Sequence, residues 1–166
     1  MIPAKPAPTK RQPNSQHGGA AVEFALILAL LISILAGIFE FGRAFWYYDA
    51  LTKATRDGAR LMSVTNKGAI LDPGVADAQT LVVNAVTAAG VPNFTTANVS
   101  VTCLDATFAD VPSVPSCSNG TAPGGVRVQI VGYSMTIGQF IPFLLGGSSS
   151  YTADLSPHTT MRYMLL

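Results

Sequence analysis

From Ala20 to Phe39 the chain reads AAVEFALILALLISILAGIF, a run in which Glu23 is the only charge and Ser33 the only other polar side chain. At about 1.5 Å per residue, a helix of that length covers roughly 30 Å, the hydrocarbon thickness of a bilayer. The run therefore predicts a transmembrane helix. The residues before it, MIPAKPAPTKRQPNSQHG, carry Lys5, Lys10, Arg11 and four prolines but no acidic group. They predict an extended basic tail with no fold of its own. The positive-inside rule keeps that tail in the cytoplasm and sends everything after Phe39 across the membrane. The alternative is a cleaved secretory signal, with Ser33, Leu35 and Ala36 as a loose small-residue site before Gly37. The apolar run is long for a signal, and Glu23 would sit inside it.

Composition narrows the function classes. A length of 166 residues holds one domain plus extras. With 10 basic and 9 acidic residues against 49% hydrophobic ones and a mean hydropathy of +0.38, neither disorder nor an ordinary soluble surface fits. The net charge is +1, and the chain has no Lys/Arg run, so no nucleic-acid partner is expected. Two cysteines and two histidines cannot build a four-ligand zinc site at the usual spacings, and there is no Walker loop, GxSxG or HExxH. No catalytic residue, cofactor or metal is expected.

The helix does not stop at the membrane. At about 100° per residue, Asp49, Lys53, Arg56 and Arg60 fall in one narrow arc, with Tyr48, Leu51, Thr55, Ala59 and Met62 opposite. One helix is expected from Ala20 to about Val64, with its charged face supported by Asp49–Lys53 and Lys53–Asp57 pairs worth only tenths of a kcal/mol. Phe45, Trp46, Tyr47 and Tyr48 suit an aromatic belt at the outer interface. Gly37 and Gly42 would allow close approach of a second helix.

After Asn66, about 100 residues suffice for one small core. Asp72-Pro73 followed by VADAQTLVVNAVTAAG predicts an amphipathic helix with Asp72 as N-cap, Pro73 at N1 and Gly90 as the stop. Asn98–Leu104 and Gly125–Tyr133 alternate as strands. Ile137–Leu145 reads as a short helix or an exposed lip, and Ser150–Tyr163 as a last strand weakened near Pro157. Cys103 and Cys117, placed outside the cytoplasm, are candidates for a disulfide closing a loop of about 15 residues; the alternative is two separate thiols. Asp154, Ser156 and His158 share one strand face but lack a nucleophile elbow or oxyanion hole. Asn93, Asn98 and Asn119 fit N-x-[ST], which matters only in a eukaryotic secretory route.

A carboxylate inside an apolar helix costs several kcal/mol and is usually functional and partnered. Here Gly18-Gly19-Ala20-Ala21-Val22-Glu23-Phe24 stands between a basic tail and an apolar run. This resembles the signal of type IV prepilins, in which a prepilin peptidase cuts after a glycine and glutamate is the fifth mature residue. The segment through GIFEFGRAFWYYDALTKATRDGAR is similar to the N-terminal half of TadE/TadG-type pseudopilins of tight-adherence (Flp) pili. The resemblance covers about Gly18 to Arg60. Its most specific pieces are AAVEFAL, Glu40-Phe41-Gly42-Arg43 and Arg56-Asp57-Gly58-Ala59-Arg60.

The resemblance implies cleavage between Gly18 and Gly19, with Gly19-Ala20 as a second scissile bond that would place Glu23 fourth. It also implies that Glu23 and Phe24 serve assembly, the carboxylate pairing with the new amine, between neighbouring subunits in related pilins. The expected architecture is α+β and pilin-like. A basic leader occupies residues 1–18 and a long helix 19–65, transmembrane at about 20–39 and an amphipathic stalk at about 40–64. A periplasmic domain with a helix and an antiparallel sheet occupies 66–166. The expected setting is a bacterial inner membrane, crossed once with the N-terminus cytoplasmic, or the pilus outside it. Expected partners are a prepilin peptidase, other pilins in a hetero-oligomeric assembly, an assembly platform and membrane lipid. Two rival readings are a membrane-anchored binding module that keeps its tail, and a secreted soluble domain starting after about Ala36.

Overall fold

The computed structural model describes residues 17–111, 116–138 and 151–164. Helix α1 runs unbroken from His17 to Val64, 48 residues or about 72 Å at the helical rise. Its N-terminal half is exposed: every large apolar side chain from Val22 to Phe39 is at least two-fifths exposed. Its C-terminal half is one wall of a small α+β domain. Short helical turns at Lys67–Ala69 and Thr96–Asn98 flank α2 (Gly74–Ala88). The strands follow as β1 (Val99–Leu104), β2 (Gly125–Ile130), β3 (Ser134–Ile137), β4 (Tyr151–Asp154) and β5 (His158–Arg162).

On α1, Leu51, Thr55, Ala59 and Met62 are buried and Asp49, Lys53, Arg56 and Arg60 exposed, as the periodicity requires. Tyr48 is the exception at 48% exposed. Tyr47, one turn before Leu51, takes the core-facing position instead. Lys53 bonds Asp49 at 2.7 Å rather than Asp57, with both side chains more than half exposed, so the pair adds only tenths of a kcal/mol. Burial holds this half of the helix: each fully covered Leu, Met or Val contributes roughly 1.5–3 kcal/mol. Buried Thr55 is satisfied by Thr52 O and by the Thr159 hydroxyl, 3.0 Å away on β5.

α2 begins one residue later than its cap signature predicts. Pro73, not Asp72, occupies the N-cap position, without a side-chain cap bond. The cause is distant in sequence: Asn119 Oδ1 accepts from the backbone of Leu71 at 2.7 Å and Asp72 at 3.4 Å, while its Nδ2 donates to Asp72 O. The stop is where the glycine puts it, since Gly90 has φ +78° and donates to Thr87 O. Ala78, Val82 and Val86 form the buried stripe.

β1, β2 and β5 make an antiparallel sheet in the order β1-β2-β5, and β3 pairs with β4. The strand expected over Gly125–Tyr133 ends at Ile130, and the one expected over Ser150–Tyr163 is split in two. Together they form one bent ribbon. Gln129 pairs with His158 and Ser134 with Asp154, so residues 130–133 oppose only residues 155–157. That extra residue is a bulge, with Gly132 at φ +60°. Ile130 N–H···O Pro157 (3.0 Å) and Leu155 N–H···O Tyr133 (2.9 Å) carry the ladder across it. β1 begins at Val99 rather than Asn98, whose side chain accepts from Thr95 and donates to Val131 O. Asn98 and Asn119 thus lock loops within the domain. The expected helix or lip at Ile137–Leu145 lies outside the described residues except Ile137, which ends β3, and Gly138.

Two clusters fill the core. Leu51, Val82, Val86, Phe94, Val128, Ile130 and Tyr133 form one, with Phe94 and Tyr133 edge to face at 5.5 Å. Met62, Ile70, Ala78, Val126, Tyr163 and the two cysteines form the other. Cys103 Sγ and Cys117 Sγ are bonded, with Cα atoms 5.0 Å apart. Closing a loop of this length restricts the unfolded chain by about 3 kcal/mol. Reduction, or Cys103→Ser/Cys117→Ser, should therefore lower the unfolding free energy by about that amount in urea titration; an unchanged midpoint would refute this.

Tyr163 gives a pH-dependent prediction. Its hydroxyl donates to Thr65 O at 2.6 Å and caps the end of α1. Burial pushes its pKa above the ordinary 10. A raised folded value means the neutral form supports the fold, so its stabilisation is present below pH 10 and lost as pH rises through the folded value. Thermal melts above pH 10 should fall more steeply for wild type than for Tyr163→Phe.

Candidate functional site

The residues singled out by sequence lie at the exposed end of α1. Gly18 and Gly19 occupy its first turn, and a Cβ built at either would meet nothing within 4 Å. No described residue thus covers the bond between them, in the turn that frays most readily. Glu23 is exposed, with no hydrogen bond or ion pair to any other described residue. It stands four residues after Gly19, so both share a face one turn apart. Phe24 beside it is 66% exposed. Ser33, the other polar side chain of the run, returns its hydroxyl to Ala29 O at 2.8 Å, satisfying itself inside the helix as an apolar surrounding demands.

This half of α1 is long and apolar enough to cross a membrane, and none of its apolar window is buried against the rest of the protein. A soluble monomer rarely exposes so large a continuous apolar surface. The chain therefore carries one apolar N-terminal helix of the single-pass anchor type.

A second charged site, which sequence reasoning passed over, stands where the anchor meets the domain. Glu40 is 1% exposed, and Arg43, one turn on, bonds its Oε2 at 2.9 Å. The same Arg43 Nη2 donates to Thr136 O on β3 at 3.1 Å. The guanidinium thus ties helix to ribbon while neutralising a buried carboxylate. Charges three apart at the end of an apolar run were the available signal. Next to the pair a recess of about 210 Å³ is lined by Arg43, Tyr47, Pro92, Tyr133 and Thr136, among others. Tyr133 donates to Pro92 O at 3.1 Å. Its hydroxyl pKa is raised mainly by burial, then by Tyr47, with Arg43 opposing.

The aromatic residues divide. Trp46 Nε1 donates to Ala89 O at the end of α2, 3.0 Å away, and Tyr47 packs on the core. Phe41 and Phe45 pair edge to face at 4.7 Å, and both remain exposed. At Gly37 and Gly42 a Cβ would meet no described residue within 4 Å. Asp154 and His158 do not share one strand as expected: they end β4 and open β5 on either side of the bulge.

Residues 18–60 match the family model described as TadE-like protein. The chain carries a TadE-like segment. No curated protein and no solved structure matches the chain. The TadE-like segment takes in the apolar run, Glu40, Arg43 and the first half of the core face. The rest of the domain, including the disulfide, lies beyond the matched residues.

Proposed function

We propose that the protein is a minor pilin or pseudopilin of a tight-adherence pilus. It is made as a precursor with a basic leader of residues 1–18, trimmed by a prepilin peptidase between Gly18 and Gly19. Residues of about 20–39 hold it in the inner membrane, and the domain from residue 66 stands in the periplasm. Its work is to prime, cap or join a fibre whose centre is a bundle of apolar helices, with other pilins and an assembly platform as partners.

The observation that carries this reading is Glu23. It is a carboxylate on a bare apolar helix, unmatched among the described residues, one turn after a glycine that cleavage would convert to an ammonium. Two uncompensated charges in an apolar layer are very costly, and pairing offsets both. Between subunits the pair sets the register of assembly.

Glu23→Ala should insert in the membrane as wild type does, yet enter pili or pilin complexes at least about tenfold less, because an unmatched buried charge costs several kcal/mol. Immunoblots of membrane and sheared-pilus fractions read both. Normal incorporation of the variant would remove the role given to Glu23.

A further inference from the structure

The ribbon follows α1 towards its N-terminal half. Met164 N donates to Ser63 O, the Thr159 hydroxyl meets Thr55, and Arg43 reaches Thr136 O, whose strand partner is Thr152. Thr55 to Arg43 is about 18 Å of helix, and Thr159 to Thr152 about 23 Å of strand, so the two run side by side. The next cross-strand pair, Ile137 with Tyr151, stands within about one helical turn of Phe39, where the apolar run ends.

At that level Tyr151 is 71% exposed, and Phe41, Phe45 and Trp46 are each at least 60% exposed. They do not form a patch on one side. At about 100° per residue Phe41 and Phe45 share one face, Trp46 points roughly a quarter-turn or more away, and Arg43 marks the side of the ribbon that carries Tyr151. Aromatic side chains surrounding a helix at one height fit a planar partner, and Tyr and Trp favour the headgroup layer, where one end of the ring is wet and the other apolar.

We propose that Tyr151 is a second membrane contact, so that the domain rests on the headgroup layer of the bilayer rather than swinging from α1. This rests on α1 being a membrane anchor and is independent of pilus assembly. Because Arg43 fixes the ribbon to the helix, contact at Tyr151 sets the tilt at which the outer domain is presented.

The test uses the full chain in phosphatidylcholine/phosphatidylglycerol vesicles with lipids brominated near the headgroup. Trp46 is the sole tryptophan, so Trp46→Phe combined with Tyr151→Trp, Phe24→Trp or Phe108→Trp gives single reporters. Phe108, on the loop after β1, is the distal control. The proposal expects loss of fluorescence and a blue shift for the Tyr151 reporter, with the Phe108 reporter unaffected. A Tyr151 reporter unquenched while the Phe24 reporter is quenched by deep-brominated lipid would overturn it and leave the anchor standing. If the Phe24 reporter also escapes quenching, the anchor reading falls, and the proposal with it.

Discussion

Arg43→Ala is expected to lower the unfolding free energy of the full chain in detergent by about 3 kcal/mol, the lower end of what breaking a buried ion pair costs. The lower end applies because Arg43 keeps 27% of its side chain exposed while Glu40 keeps 2%. Truncation strips the guanidinium from an enclosed carboxylate and removes the bond to Thr136 O that joins α1 to β3. The emission of Trp46, held against Ala89, reports on the same joint during urea titration. Glu40→Leu/Arg43→Leu should recover much of the loss, since it leaves no charge to desolvate. A midpoint equal to wild type for Arg43→Ala would show that the pair does not hold the joint.

Gly58→Val is expected to cost about as much, near 3 kcal/mol at the upper end of overpacking penalties. α1 passes α2 so closely here that a Cβ at Gly58 would lie 2.7 Å from Val82 Cγ2 and 3.5 Å from Val128 Cγ1. Val82 is fully buried and stiff about χ1, so it cannot swing aside. Gly58→Ala sets a helix-propensity gain of up to about 1 kcal/mol against a smaller clash, and should fall between the two. Urea titration of the three chains checks the order. A valine variant as stable as wild type would mean that the helices do not need this approach.

These two positions show what could be read from the chain and what could not. Glu40-Phe41-Gly42-Arg43 and Arg56-Asp57-Gly58-Ala59-Arg60 marked a resemblance, and the helix they lie on was legible because its periodicity is a local property. Their tasks were not, because Thr136 lies 93 residues beyond Arg43 and Val82 sits on another helix. The same distinction explains the misplaced boundaries. Alternation placed strands at Asn98–Leu104 and Gly125–Tyr133, one and three residues longer than β1 and β2, but the ribbon's bulge depends on which residues face each other across it. Gly132 was its only local trace. The cap of α2 moved by one residue because Asn119, from a distant loop, holds Asp72. Tyr48 and Tyr47 exchanged roles because both lie near the edge of the buried face, where an idealised wheel does not decide.

At the exposed end of α1 the physics is local again. Gly19 and Glu23 are one turn apart whatever the domain does, and an apolar surface without cover needs lipid or other helices.

Whether the proposed amine partner of Glu23 is ever made can be read from the N-terminus of the protein recovered from its native host. Sequencing or intact mass should find a chain that begins at Gly19. A working protein that still carries residues 2–18 would contradict the account.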